Sequence, residues 1–167
     1  MTTHVVPIQT NDGTFAATFN ERGLSQLRFP AAAPAYRFIA NDPNLPPSVK
    51  EWADLTASAI HGILSGRAPD KLPPMDISPG SEFQQEVWLA MLEIPMGQTR
   101  SYGELAKKIG RPKAVRALGG ACGANPIPVL IPCHRVLAAQ GSIGGFSGGL
   151  DWKRLLLGRE GVLLKGM

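Results

Sequence analysis

Apolar and polar residues alternate, or run apolar, over 4–9, 14–19 and 24–29. Asn11-Asp12-Gly13 and Asn20-Glu21-Arg22-Gly23 separate these runs. A period of two broken by turn residues predicts three antiparallel strands in sequence order. Residues 30–47, with five prolines, predict an irregular connection. From Ser48 the apolar residues recur at helical spacing, through Val49, Trp52, Leu55, Ala59, Ile60, Ile63 and Leu64. That predicts an amphipathic helix over 48–65, stopped by Gly66. Pro69, Pro73, Pro74 and Pro79 then mark a linker, with a domain boundary near residue 78.

The second half carries more local signals. Ser81 with Gln84 and Ser101 with Glu104 match capping boxes, which open predicted helices 82–93 and 102–109. Gly110 ends the shorter one. Pro112 suits the first position of a third helix over 113–123. Two short helices joined by a tight glycine-containing turn predict a helix-turn-helix. A last helix is predicted from Trp152 to about Leu157, capped by Asp151 and ended by Gly158. The fold class is therefore α+β. A small antiparallel sheet with a helix (1–78) precedes a mainly helical domain (79–167) with a helix-turn-helix of winged type.

Composition changes this picture in two places. Gly and Pro number 19 and 15 in 167 residues, without a fixed period, so the chain is compact but rich in stiff or sharply turned segments. The formal charge of +4 is uneven. Residues 97–120 hold Arg100, Lys107, Lys108, Arg111, Lys113 and Arg116 against the single Glu104. Such a patch suits a polyanion, and a solvated helix face is the plainer alternative. Two cysteines exclude a disulfide scaffold. The two Cys and three His lack ligand-pair spacing, so no metal and no cofactor is expected. No apolar run reaches membrane-span length and the N-terminus is unlike a signal peptide, so the expected setting is the reducing cytoplasm.

The predicted second helix of the pair holds Gly119, Gly120 and Gly123. Each interior glycine costs about 1 kcal/mol relative to alanine. Either a neighbour packs closely, or the smooth surface approaches a nucleic-acid backbone. With so few polar side chains, binding by phosphate charge and groove shape suits it better than base readout. After it, Pro126, Pro128 and Pro132 predict an extended, stiff segment that delivers Cys133 at a Pro-Cys-His step. A helical turn opened at Pro132, with Arg135 and a protonated His134, would lower the Cys133 pKa. Cys122, among Gly and Ala, is expected to be inert. Residues 141–149 form a glycine-rich loop that matches neither phosphate-binding fingerprint.

Ile131-Pro-Cys-His-Arg-Val136 resembles the active-site signature of the O6-alkylguanine-DNA alkyltransferases. Over about 80–161 the resemblance extends to Phe83-Gln84, Val87-Trp88, Ser101-Tyr102, Pro112 to Arg116, Gly119-Gly120, Asn125-Pro126, Pro128, Ser147 to Gly149 and Glu160-Gly161. Residues 1–79 match only in layout. The resemblance implies a single-turnover repair protein. It would bind duplex DNA with the helix-turn-helix in the minor groove and flip out O6-alkylguanine, and O4-alkylthymine too. The alkyl group would pass to Cys133. By position, His134 would be a base acting through a water, Glu160 its orienter and Tyr102 a donor to the departing base. Pro128, Phe146, Ser147 and the carbonyls of Cys133 and Val136 would form the guanine pocket. Asn125 would brace the turn before it. Arg116 would fill the gap in the duplex, with Arg100, Ser101, Lys113, Ala114, Ala117, Gly119 and Gly120 along the DNA face. Phe146 stands where some relatives have Tyr, which loses a hydroxyl contact. A monomer in solution is expected, with cooperativity on DNA left open. The other readings weighed are a lesion binder without transfer, a helix-turn-helix regulator and a thiol hydrolase.

Overall fold

The computed structural model describes residues 1–31, 42–146 and 148–164. Most of the proline-rich connection after the first sheet, and Ser147, lie outside them. Strands β1 (His4–Thr10), β2 (Gly13–Asn20) and β3 (Gly23–Arg28) form an antiparallel sheet in that order. Two-residue turns join them, with Gly13 and Gly23 at positive φ of 118° and 144°. Helix α1 (Pro47–Leu64) lays Val49, Ala53, Ile60 and Ile63 on the sheet, whose Phe15, Phe19 and Leu24 are fully buried. Gly66 stops it in a left-handed conformation, as the sequence predicts.

The proline-rich linker is fastened to the outer edge of the sheet. Leu24 donates to the Pro74 carbonyl and Asp76 to that of Leu24, at 2.8 Å each. Asn20 bonds the Asp76 carboxylate at 2.8 Å. Further along β3, Leu27 donates to the Pro126 carbonyl at 2.9 Å. These bonds cover an edge that would otherwise offer free backbone groups.

Helices α2 (Glu82–Leu92) and α3 (Tyr102–Lys108) both open on complete capping boxes, from Ser81/Gln84 and Ser101/Glu104. Between them lies β4 (Arg100–Ser101), which pairs in parallel with β5 (Val136–Leu137). Helix α4 spans Val115–Gly123. It starts later than the sequence predicts, because residues 111–114 make a turn in which Ala114 donates to the Arg111 carbonyl at 2.9 Å. Pro112 therefore precedes the helix instead of opening it. Helix α5 (Leu150–Arg159) is longer than predicted at both ends. Asp151 lies in its first turn and makes no cap, Gly149 being the N-cap residue, and Gly158 is inside. The main apolar cluster runs from the sheet through α1, α2, α3, α4 and α5, and a smaller one gathers Leu137, Leu157 and Leu164.

Candidate active site

Cys133, His134 and Arg135 form one 3-10 turn after Pro132, and all three are buried. Cys133 is 5% exposed and has no disulfide partner among the described residues. The segment leading to it corrects the sequence reading. Residues 126–131 are a compact turn rather than an extended run, with Ile131 donating to the Ile127 carbonyl at 2.9 Å. Proline fixes φ near −65°, a value that turns and extended chain share. Asn125 decides between them. Its Nδ2 donates to the Ile131 carbonyl at 2.8 Å and its Oδ1 accepts from Ile127 at 3.0 Å. Val129, fully buried between Pro128 and Leu130, takes a φ of 75°. A β-branched residue there carries a local strain of about 1–3 kcal/mol, which the surrounding packing must offset.

Burial pushes the Cys133 thiol up to about 11. The Asn125 side chain, the Lys153 ammonium and the backbone N–H groups of the turn pull it down but do not win. The sequence reading expected a lowered pKa from Arg135 and a protonated His134. Neither acts on the thiol. Arg135 forks onto Glu160, with Nε to Oε2 and Nη2 to Oε1 at 2.9 Å each, and its Nη1 donates to the Ile94 carbonyl at 2.7 Å. Burial lowers the His134 pKa, against the upward pull of Glu160, so the ring is neutral at pH 7.

Glu160 has a fully buried side chain. Burial raises its pKa, but hydrogen bonds from His134 and Arg135 outweigh that and hold it at about 2. An ionised carboxylate only accepts, so the 2.7 Å contact with His134 Nε2 puts the proton on Nε2. Nδ1 is then a bare lone pair. It is buried and has no protein hydrogen-bond partner, alone in this among the described side chains. The site thus holds a protonated thiol, a neutral imidazole with an open basic nitrogen, and a fixed carboxylate behind it.

Lys153 completes the surroundings. It is fully buried on α5, and its Nζ donates to the Val136 carbonyl at 2.8 Å and the Gly145 carbonyl at 3.1 Å. Tyr102, at the start of α3, is partly buried, and burial with the two nearby thiols raises its pKa. Its hydroxyl lies against Gly144. Cys122 is buried, with Sγ 3.6 Å from Met91 Sδ, and burial pushes its pKa up to about 12. Pro128 is buried, and Phe146 stacks edge-on against Phe29.

The basic patch sorts into paired and free charges. Lys108 pairs with Glu93 at 2.8 Å, Arg111 with Glu86 at 3.2 Å, and Arg100 bonds the Thr99 carbonyl and Gln98. Lys113 and Arg116 are exposed and pair with no acidic group among the described residues. Ala117 and Gly120 are exposed beside Arg116, while Ala114, Gly119 and Ser101 are partly exposed. A Cβ built on Gly119, Gly120 or Gly123 would meet nothing within 4 Å. Close packing is therefore not why α4 carries its glycines.

A family profile described as "6-O-methylguanine DNA methyltransferase, DNA binding domain" matches residues 82–162. The chain is 50% identical over 119 residues to the methylated-DNA–protein-cysteine methyltransferase of Methanosarcina mazei, covering 70% of this chain and 73% of that protein. The chain belongs to the methylated-DNA–protein-cysteine methyltransferase family. A similar match to the Methanosarcina acetivorans protein is 56% identical over 82 residues, and spans about half the length of that relative, 53%. A solved structure of Mycobacterium tuberculosis OGT in complex with DNA superposes with a TM-score of 0.76 at 35% identity, covering 94% of this chain and 92% of that one.

Two buried or paired cations, Lys153 and Arg159, are not flagged by the sequence pattern. Lys153 had a signal. It falls in register with Leu156 and Leu157 on the buried stripe of α5, where a lysine needs an explanation. Arg159 had none. Its bidentate pair with Asp12, at 2.6 and 2.8 Å, joins positions 147 residues apart.

Proposed function

We propose that this protein repairs alkylated DNA by moving the alkyl group from O6 of guanine, or O4 of thymine, onto Cys133 in a single irreversible turnover. The observation that carries this reading is the bare Nδ1 of His134, held by Glu160 beside a buried thiol. A thiol with a pKa of about 11 is a poor nucleophile at pH 7 and needs a base. His134 is that base, and takes the thiol proton through a water at Nδ1. Sulfur attacks the alkyl carbon, the S–C bond forms and the C–O6 bond breaks. The electron pair stays with the guanine, which gains a proton on its ring from the Tyr102 hydroxyl; the thiol's proton, passed through His134, restores the tyrosine. Glu160 fixes the imidazole, and Asn125 fixes the turn that carries the thiol. The carbonyls of Cys133 and Val136, Pro128, Phe146 and Ser147 hold the base.

Base access requires the nucleotide to leave the stack. The glycine-smoothed face of α4, with Ala117, Gly119 and Gly120, lies along the minor groove, with Lys113 and Ala114 of the preceding turn and Arg100 and Ser101 beside it. Arg116 enters the gap the flipped base leaves. Residues 1–78 form a supporting domain and 79–167 carry DNA binding and transfer. The protein works as a monomer in the reducing cytoplasm; no described helix is long and apolar enough to cross a membrane. Incubation with an excess of O6-methylguanine duplex tests the reading. Repair should stop after one equivalent, and sustained turnover would contradict it.

A further inference from the structure

We propose that Phe29, just past the end of β3, is a positioning residue that holds the 141–149 loop and thereby limits the size of alkyl group the site accepts. This rests on the alkyl-transfer reading above. The loop is gripped at several points along its length. Gly144 lies against the Tyr102 hydroxyl, and the Gly145 carbonyl accepts from Lys153, which also holds the Val136 carbonyl. Lys153 thereby ties this end of the loop to Val136, the residue that follows directly on the Cys133–Arg135 turn.

The other end is held by the N-terminal sheet. The Phe29 ring stacks on Phe146 at 5.6 Å between centroids, on Trp152 at 5.0 Å and on Phe15 at 5.5 Å. Trp152 also meets Phe15 at 5.4 Å. Phe15 is fully buried in β2, so this stack anchors the loop to the sheet core. Gly148 lies so close to Phe29 that a methyl group on its Cα would overlap the ring. The loop therefore cannot retreat toward the sheet while the ring is in place. Removing the ring opens space on that side, the direction in which the loop could yield to a larger substituent. The N-terminal domain in this way takes part in substrate choice while touching no reacting atom.

Phe29→Leu and Phe29→Ala, with Phe29→Tyr as the conservative control, test this on free O6-benzylguanine and O6-methylguanine. The benzyl-to-methyl rate ratio should rise at least about fivefold in Phe29→Ala and less in Phe29→Leu, and return to the wild-type ratio in Phe29→Tyr, on the scale that small changes in a pocket wall produce. Amides of residues 144–149 should exchange hydrogen faster in the Leu variant. An unchanged ratio with unchanged exchange overturns the proposal, as does an equal fall in both rates. If Phe29→Ala does not fold, Phe29→Leu decides. If wild-type protein alkylates Cys133 from neither base, the transfer reading fails instead, and exchange alone then judges whether Phe29 holds the loop.

Discussion

Replacing His134 by glutamine removes the base while leaving a side-chain amide able to donate to Glu160. With a Cys133 pKa of about 11, only about 1 thiol in 3,000 is ionised at pH 7.5, equivalent to roughly 5 kcal/mol. In the wild type that cost is offset by His134, which burial keeps neutral and ready to accept a proton. The wild-type rate with free O6-benzylguanine should therefore be nearly flat from pH 7 to pH 9. His134→Gln should react up to about 3,000-fold more slowly at pH 7.5, within the roughly 10²–10⁴-fold range of general-base catalysis. Its rate should climb about tenfold per pH unit as free thiolate accumulates. Tyr102 does not confuse the profile, since its pKa is raised and it stays protonated over this range. Stopped-flow or quench assays of the free base, without DNA, read the effect directly. A variant profile parallel to that of the wild type would refute the argument, because it would mean His134 supplies geometry and no proton transfer.

Glu160→Ala should lower stability by about 3–5 kcal/mol in urea unfolding, because it leaves Arg135 buried and unpaired; a loss under 1 kcal/mol would show that solvent reaches the guanidinium. Acid should act in two stages. His134 has a lowered pKa, so stability is full above about pH 6.5 and falls as the unfolded chain alone binds a proton below it. Glu160, held at about 2 against an ordinary 4.5, adds a stabilisation of roughly 3 kcal/mol that is present above pH 4.5 and lost as pH falls toward 2. Urea midpoints at pH 7, 5.5 and 4 check both, and a midpoint constant down to pH 5 contradicts the first. Arg116→Ala should slow repair of duplex DNA far more than reaction with the free base, and equal losses would remove its role in flipping. Gly120→Ala should stabilise the fold by up to about 1 kcal/mol, since its Cβ meets open space, while weakening duplex binding; a destabilised variant, or one with unchanged binding, would contradict the reading of α4.

What the chain reveals locally, it reveals well. Both capping boxes, both tight turns of the sheet and the Gly66 helix stop rest on residues within four positions of each other, and all appear where the pattern puts them. Cys133 and His134 stand out in sequence for the same reason. Their electrostatics do not, because burial is a tertiary property. Burial pushes the thiol up, and the Arg135 charge does not oppose it because the guanidinium turns to Glu160, a residue 25 positions away. The 126–131 turn is not legible locally, because proline constrains φ and leaves the choice to the Asn125 side chain. The Phe29–Trp152 stack joins the two ends of the chain, and no spacing rule reaches that far.

The central claim is that Cys133 is the acceptor. Its most direct test is peptide mapping by mass spectrometry after reaction with an O6-methylguanine duplex. One methyl mass should appear on the peptide holding Cys133, and the guanine should be restored in the same amount. The label on the peptide holding Cys122, or restored guanine with no label on the protein, would contradict the account.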